Sequence, residues 1–209
     1  MTQELVRGIE WLGHASFRIV ADRVIYIDPW QLEGGPLADI ILVTHEHGDH
    51  LSLDDIDKIS TPDTILVCSK SCAEELQGQV REVEPGDTVD LGALRIDVVP
   101  AYNTDKPNHP QGKGHVGYVV ELDGRRIYHA GDTDVIPEMD EIECDVALLP
   151  IGGTYTMNAE QAADAVRRIG PRVVIPMHWG RIVGGESDVS RFRELVPESV
   201  EVVVLKETP

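Results

Sequence analysis

Short apolar runs separated by polar turns fill this chain, and few of them are long enough for a helix. Residues 5–12, 16–20 and 23–27 are rich in β-branched and aromatic side chains, with Ala21-Asp22 as a hairpin link and Asp28-Pro29 as a stop. Residues 40–43 are uninterrupted Ile, Ile, Leu and Val, the pattern of a strand buried on both faces. Ser52, with Asp55 three positions later, predicts a capped helix start. Residues 64–67 read as another buried strand, followed by a brief helix that Ser69 or Ser71 opens and that runs to Leu76. Pro85-Gly86-Asp87 is a turn, and the alternation over residues 94–99 predicts a half-buried strand. Residues 116–122 and 125–129 flank Asp123-Gly124, a strong hairpin signal. A strand over 146–150 precedes a helix capped by Asn158, with Ala162, Ala163, Val166 and Ile169 as its apolar stripe and Gly170-Pro171 as its end. A strand at 172–176, a helix at 188–196 and a strand at 200–205 complete the chain. This order predicts an α/β architecture of two sheets packed face to face with helices outside.

One segment breaks the rhythm. Residues 102–114 contain Pro, Asn, Gly and Lys with no periodicity, and a loop of that length in a compact protein is usually functional or mobile.

Bulk composition then narrows the class. The 209 residues suit one packed domain spanning 1–209. No run reaches the length of a membrane span, and the first residues lack a signal-peptide pattern, so a cytoplasmic location and no membrane partner are expected. Cys68, Cys72 and Cys144 form no Cys-x-x-Cys pair, and the apolar residues beside Cys68 and Cys144 predict buried structural thiols. The net charge of −19, without a Lys/Arg cluster, opposes nucleic-acid binding. A small molecule is the expected partner, and a homo-oligomer is compatible with the sequence.

The candidate chemistry sits directly behind the 40–43 strand. Thr44-His45-Glu46-His47-Gly48-Asp49-His50 gathers three imidazoles and a carboxylate at a strand end, a rigid place from which to aim ligands at one point. Imidazole with carboxylate suits Zn²⁺ or Mn²⁺, with Ni²⁺ or Fe also possible, better than Ca²⁺ or Mg²⁺. Two later segments repeat the arrangement: a strand runs into Gly131-Asp132-Thr133, and another ends at Met177-His178. A catalytic metal needs more ligands than one loop supplies, which makes Asp132 and His178 candidate ligands.

Taken together, these segments resemble the metallo-β-lactamase superfamily of metal-dependent hydrolases. Trp11-Leu12-Gly13-His14-Ala15-Ser16-Phe17, Ile27-Asp28-Pro29 and the 149–157 segment are similar to its branch of ascorbate-6-phosphate lactonase-like proteins. The resemblance implies an αββα four-layer sandwich of two mixed sheets, with the site at one edge. It also implies two divalent metal ions: His45 and His47 on the first, Asp49, His50 and His178 on the second, and Asp132 bridging both. Much of the superfamily has a further His where this chain has Asn103. His109, His115 or His14 could replace it, and His109, after Tyr102-Asn103 and Lys106, is preferred. His115 is expected at the surface. His14 is placed near the metals as ligand or proton donor. Asp28 is expected to orient a ligand His, and His129 fits a supporting or a merely packed role.

The expected activity is hydrolysis by a metal-activated water of an ester, lactone or phosphodiester in a small anionic substrate. Asp49, His14 and His109 are the catalytic candidates, and Asn103 and Lys106, with Lys113, the substrate-binding ones. A non-catalytic metal-binding regulatory or interaction protein is the alternative. An iron oxidoreductase is a third reading, which the His-rich set disfavours.

Overall fold

In the computed structural model, which describes residues 2–209, two sheets each follow chain order. The first contains β1 (Ile9–Gly13), β2 (Ser16–Val20), β3 (Val24–Ile27), β4 (Ile40–Val43), β5 (Ile65–Ser69) and β6 (Gln79–Val83). The second contains β7 (Thr88–Asp90), β8 (Arg95–Pro100), β9 (Val116–Leu122), β10 (Arg125–His129), β11 (Val146–Pro150), β12 (Val173–Met177) and β13 (Glu201–Val202). Both sheets are mixed. Neighbours from β1 to β3 are antiparallel and those from β3 to β6 parallel. The second sheet repeats the scheme, antiparallel from β7 to β10 and parallel from β10 to β13.

Side-chain alternation sorts each strand between layers. Ile25, Ile27, Ile40 and Leu42 join Phe17 and Ile19 in one core with Ile96, Val98, Tyr118, Val120 and Ile127 of the other sheet. The intervening Tyr26, Ile41 and Val43 join a separate cluster with Leu66 and Cys68, covered by Ile56 and Ile59 of α2 (Leu53–Ile59). On the other side, α3 (Ala159–Ile169) lays Ala162, Ala163, Val166 and Ile169 on the second sheet and packs against α4 (Glu186–Leu195). The result is the expected four-layer αββα arrangement. Both predicted caps form: Ser52 accepts from the Asp55 N–H, and Asn158 makes a capping box with Gln161. Gly170 ends α3 in the left-handed conformation.

Several elements depart from the expected pattern. The strand predicted over 5–12 begins only at Ile9, and a short helix, Thr2–Leu5, precedes it. Arg125 explains the change, because its Nη1 donates to the carbonyls of Leu5 and Arg7 at 3.0 and 2.7 Å and so ties down the helix end. The brief helix expected up to Leu76 is a series of turns, with Ser69 taken into β5. Strands β6 and β7 carry too few buried apolar positions to stand out from the sequence. The last strand shrinks to Glu201–Val202, although the Val203 N–H still bonds to the Val174 carbonyl at 2.9 Å. No helix is long and apolar enough to cross a membrane among the described residues.

The ends of β4, β10 and β12 lie at one edge of the sandwich, where the turn between β1 and β2 also falls. Tyr118 closes the interior just below that edge, its hydroxyl donating across to the Val43 carbonyl at 2.7 Å.

Candidate metal centre

Three backbone turns at this edge take an unusual conformation. His14, Asp28 and His178 all have positive φ (52°, 47° and 57°), a region that costs most non-glycine residues energy and is concentrated at functional sites. The His178 N–H donates to the His14 carbonyl at 2.8 Å, so the two turns brace each other and bring their rings to 3.8 Å. Gly131 supplies the matching turn before Asp132. Its φ is +63°, and a Cβ there would lie 2.7 Å from the Val116 carbonyl oxygen.

Two groups of ligand atoms converge. His14, Asp49, His50 and His178 form one, and His45, His47 and His109 the other, with all chosen atoms in each group within 4.8 Å of one another. Asp132 stands between them: Oδ1 lies 3.3 Å from His50 Nε2, and Oδ2 lies 3.1 Å from His178 Nε2 and 3.4 Å from His109 Nε2. The structure thus brings His45, His47, Asp49, His50, Asp132 and His178 together with His14 and His109, two of the expected candidates for the further ligand.

Hydrogen bonds behind the rings fix which nitrogen faces the centre. Asp28 accepts from the Thr44 N–H at 2.8 Å, from Thr44 Oγ1 at 2.7 Å and from His50 Nδ1 at 2.7 Å. With its hydroxyl proton committed to Asp28, Thr44 accepts from His45 Nδ1 at 2.9 Å. Asn103 Oδ1, an acceptor only, takes the His109 Nδ1 proton at 3.1 Å and the His109 N–H at 3.0 Å. The Nε2 lone pairs of His45, His50 and His109 are therefore turned inward, as a ligand shell requires.

The donor set fits a divalent cation on its own geometry. His45 Nε2 and His109 Nε2 each lie 3.1 Å from His47 Nδ1. Nitrogens bound at 2.0–2.1 Å to a tetrahedral ion stand about 3.3 Å apart. His50 Nε2, Asp132 Oδ1 and His178 Nε2 are buried without a hydrogen-bond partner, a costly state that a cation would relieve. The charge states agree at His45, His109, Asp132 and Asp49. At His50, burial is outweighed by Asp132 and Asp28, which hold the imidazole well above its ordinary range, so a cation there must displace its Nε2 proton. Burial, reinforced by the neighbouring imidazoles, holds His45 well below the ordinary imidazole range and brings His109 to about 4 despite the pull of Asp132. Burial alone would raise Asp132, but His178 and His50 outweigh it and keep the carboxylate ionised. The same contest, won by the hydrogen bond from His14, leaves Asp49 at about 2. Neutral imidazoles and ionised carboxylates are the forms that bind metal.

Some assignments change. His115 does not lie at the surface: it is buried, with Nε2 2.8 Å from Glu46 Oε2 and its ring 4.9 Å from that of His45. Asn103 sits behind His109 and donates to the Tyr155 carbonyl at 2.9 Å, so its amide is spent on the loop and not on a substrate. Lys106 is likewise committed, to buried Asp134 and to Asp105, and Lys113 is paired with Glu46. His14 is fully buried with Nε2 3.1 Å from Asp49 Oδ2, which places it among the ligand atoms and out of reach of a leaving group. His129 ties two turns of the site together: Nε2 donates to the Ala15 carbonyl at 2.8 Å, and Nδ1 accepts from the Gly131 N–H at 3.2 Å. Asn108 and Ile182 are not among the expected site residues. With Tyr155, they border an open pocket of ≈ 230 Å³ floored by His47, Asp49, His109 and Asp132. Loop residues of this kind carry no periodic or motif signal.

Comparison with known proteins shows the family of the chain. Residues 8–178 match the family model of the beta-lactamase superfamily domain. The chain is 40% identical to a UPF0173 metal-dependent hydrolase of Methanopyrus kandleri, over 95% of this chain and 96% of that protein. A second UPF0173 metal-dependent hydrolase, from Thermococcus onnurineus, is 36% identical over 95% and 96% of the two chains. The fold superposes on the crystal structure of a protein from Parabacteroides distasonis described as a metal-dependent hydrolase, with a TM-score of 0.86, 33% identity, and 96% and 93% of the two chains covered.

Proposed function

This chain belongs to the UPF0173 metal-dependent hydrolases of the beta-lactamase superfamily, and we propose that it holds two divalent ions and hydrolyses an ester, lactone or phosphodiester of a small molecule. The observation that carries the reading is the convergence of two ligand groups on the shared carboxylate of Asp132. His45, His47 and His109 would hold one ion, and Asp49, His50, His178 and His14 the other. Zn²⁺ and Mn²⁺ suit this nitrogen and oxygen set best, with Ni²⁺ and Fe²⁺ as weaker alternatives. Divalent ions held by these residues would supply Lewis acidity, polarising the scissile group and lowering the pKa of a bound water from 15.7 toward about 7.

The chain's own residues do the rest. Asp49 borders the pocket as an ionised carboxylate and can accept a hydrogen bond from the attacking water and so orient it. His14 Nε2 and Asp49 Oδ2 stand 3.1 Å apart, a spacing that two ligand atoms of one ion would share, so His14 would hold that carboxylate in place through the common ion. Asp28 and Asn103 hold the rings of His50 and His109 in their productive tautomers. The expected anionic substrate rested on Lys106 and Lys113. Both are engaged by carboxylates, so that part of the reading falls away.

Metal analysis joined to a substrate panel of esters, lactones and phosphodiesters tests the proposal. About two ions per chain, with turnover on at least one of these classes, is the expected result. Fully loaded protein that turns over none of them would remove the proposal.

A further inference from the structure

We propose that the pocket accepts a small uncharged ester or lactone with an apolar substituent, and that it disfavours any substrate bearing a carboxylate or phosphate away from the reacting bond. This rests on the hydrolase reading above and narrows it.

The pocket wall carries the inference. Ile182 is 48% exposed and Tyr155 37%, two of the few large apolar side chains left in water, and both stand at the opening above His47 and Asp49. An alkyl or aryl group placed between them would remove apolar surface from water. Asn108 is the remaining rim residue, a neutral donor and acceptor.

Among the described residues, the cations of the flanking segments already face carboxylate or amide partners. Lys106 faces Asp134 and Asp105, and Lys113 faces Glu46. Arg181, next to Ile182, donates to Gln31 and Glu207 and lies over the Trp30 ring at 5.6 Å. An extra negative charge would enter this rim unpaired, on a chain whose net charge is −19. In the hydrolysis itself, the water oxygen bonds to the acyl carbon and the bond to the leaving oxygen breaks. The leaving oxygen takes up one proton, and the acid product releases one.

Matched substrates test the proposal on the metal-loaded protein: p-nitrophenyl butyrate, p-nitrophenyl hemisuccinate of nearly the same length, and bis(p-nitrophenyl) phosphate. The butyrate should lead the hemisuccinate in kcat/KM by about tenfold at low salt. Ile182→Lys should close that gap by about fivefold, the worth of one exposed ion pair. A readout independent of turnover is the methyl resonance of Ile182. It should shift on titration with N-butylacetamide and stay in place with N-acetyl-γ-aminobutyrate, the analogue that ends in a carboxylate. Equal or better use of the hemisuccinate, or cleavage of the phosphodiester alone, overturns the narrowed substrate class while hydrolysis stands. Loaded protein inert toward all three, with a still Ile182 methyl, overturns it as well and counts against hydrolysis too.

Discussion

The two candidate ligand groups that meet at Asp132 are built in different ways. His14, Asp49, His50 and His178 come from strand ends and tight turns, two of them braced backbone to backbone. The other group takes His45 and His47 from the same strand end but borrows His109 from the aperiodic 103–114 segment. That third ring is placed by a single side chain. Asn103 accepts from its Nδ1 and its N–H, and the Asn103 N–H bonds back to the His109 carbonyl at 2.7 Å. Strand ends position ligands through the sheet ladders themselves, whereas a loop ligand is only as well placed as the hydrogen bonds that hold it. The His45, His47 and His109 group should therefore be the easier one to empty.

The largest effect should come where the groups meet. Asp132→Ala removes the carboxylate both share and leaves His50 and His178 facing each other across the gap. Both ions should be lost and kcat/KM should fall by more than about 10³-fold. Metal analysis beside circular dichroism checks this, because a folded protein that keeps one tightly held ion would show that Asp132 serves only one group.

Asn103→Ala should separate the groups. With its tautomer and orientation released, His109 should cost one ion about 10–100-fold in affinity while the other stays bound. A chelator titration followed by metal counting would show one ion leaving early. Asn103→Asp keeps an acceptor opposite His109 Nδ1 and should recover most of the loss. Simultaneous release of both ions in the alanine variant would erase the distinction between strand-built and loop-built ligands.

Legibility in the sequence follows the same division. The apolar runs of β2, β3, β4 and β11 and the caps at Ser52 and Asn158 announce themselves because periodicity and capping are local. The strand-end candidates are visible for the same reason, each sitting at a predictable stop. Asn103 was visible as a departure from the superfamily pattern, but its actual task was not. A loop's path depends on distant partners such as Asp134, which takes the Thr104 N–H at 2.9 Å, and the Tyr155 carbonyl. The burial of His115 and the pairing of both loop lysines were hidden for the same cause.

A smaller effect probes the support behind the strand-built group. Trp30 lies beside His14, their rings 5.3 Å apart, on a segment that Asp55 pins down. Asp55 accepts from the N–H groups of Gln31 and Leu32, from Ser52 and from Lys58, between 2.7 and 3.0 Å. Burial would raise its pKa, but these donors outweigh burial and keep it below the usual carboxylate value. A carboxylate whose folded pKa is depressed adds stability above its unfolded value of about 3.9 and loses it as pH falls through the folded value. Asp55→Ala should thus cost about 1–3 kcal/mol at neutral pH. The gap from the parent should narrow as thermal unfolding is followed below about pH 4. A pH-independent gap would assign Asp55 a packing role only.

The smallest change tests the loop from its exposed side. Lys113 pairs with Glu46, which sits between the two ligand histidines of the loop-assisted group, so removing it challenges the idea that hydrogen bonds from Asn103 suffice to place His109. The Lys113 side chain is 58% exposed and its contact with Glu46 is 3.2 Å, a surface pair worth at most ~1 kcal/mol. Glu46 keeps His115 at 2.8 Å, so its carboxylate is not left alone. Lys113→Ala should leave metal content intact and kcat/KM on an uncharged ester within about twofold, the scale of a screened surface charge. A drop of the size expected for Asn103→Ala would mean that the segment is held from its outer end, and that the loop-built group owes its shape to charge as much as to the amide.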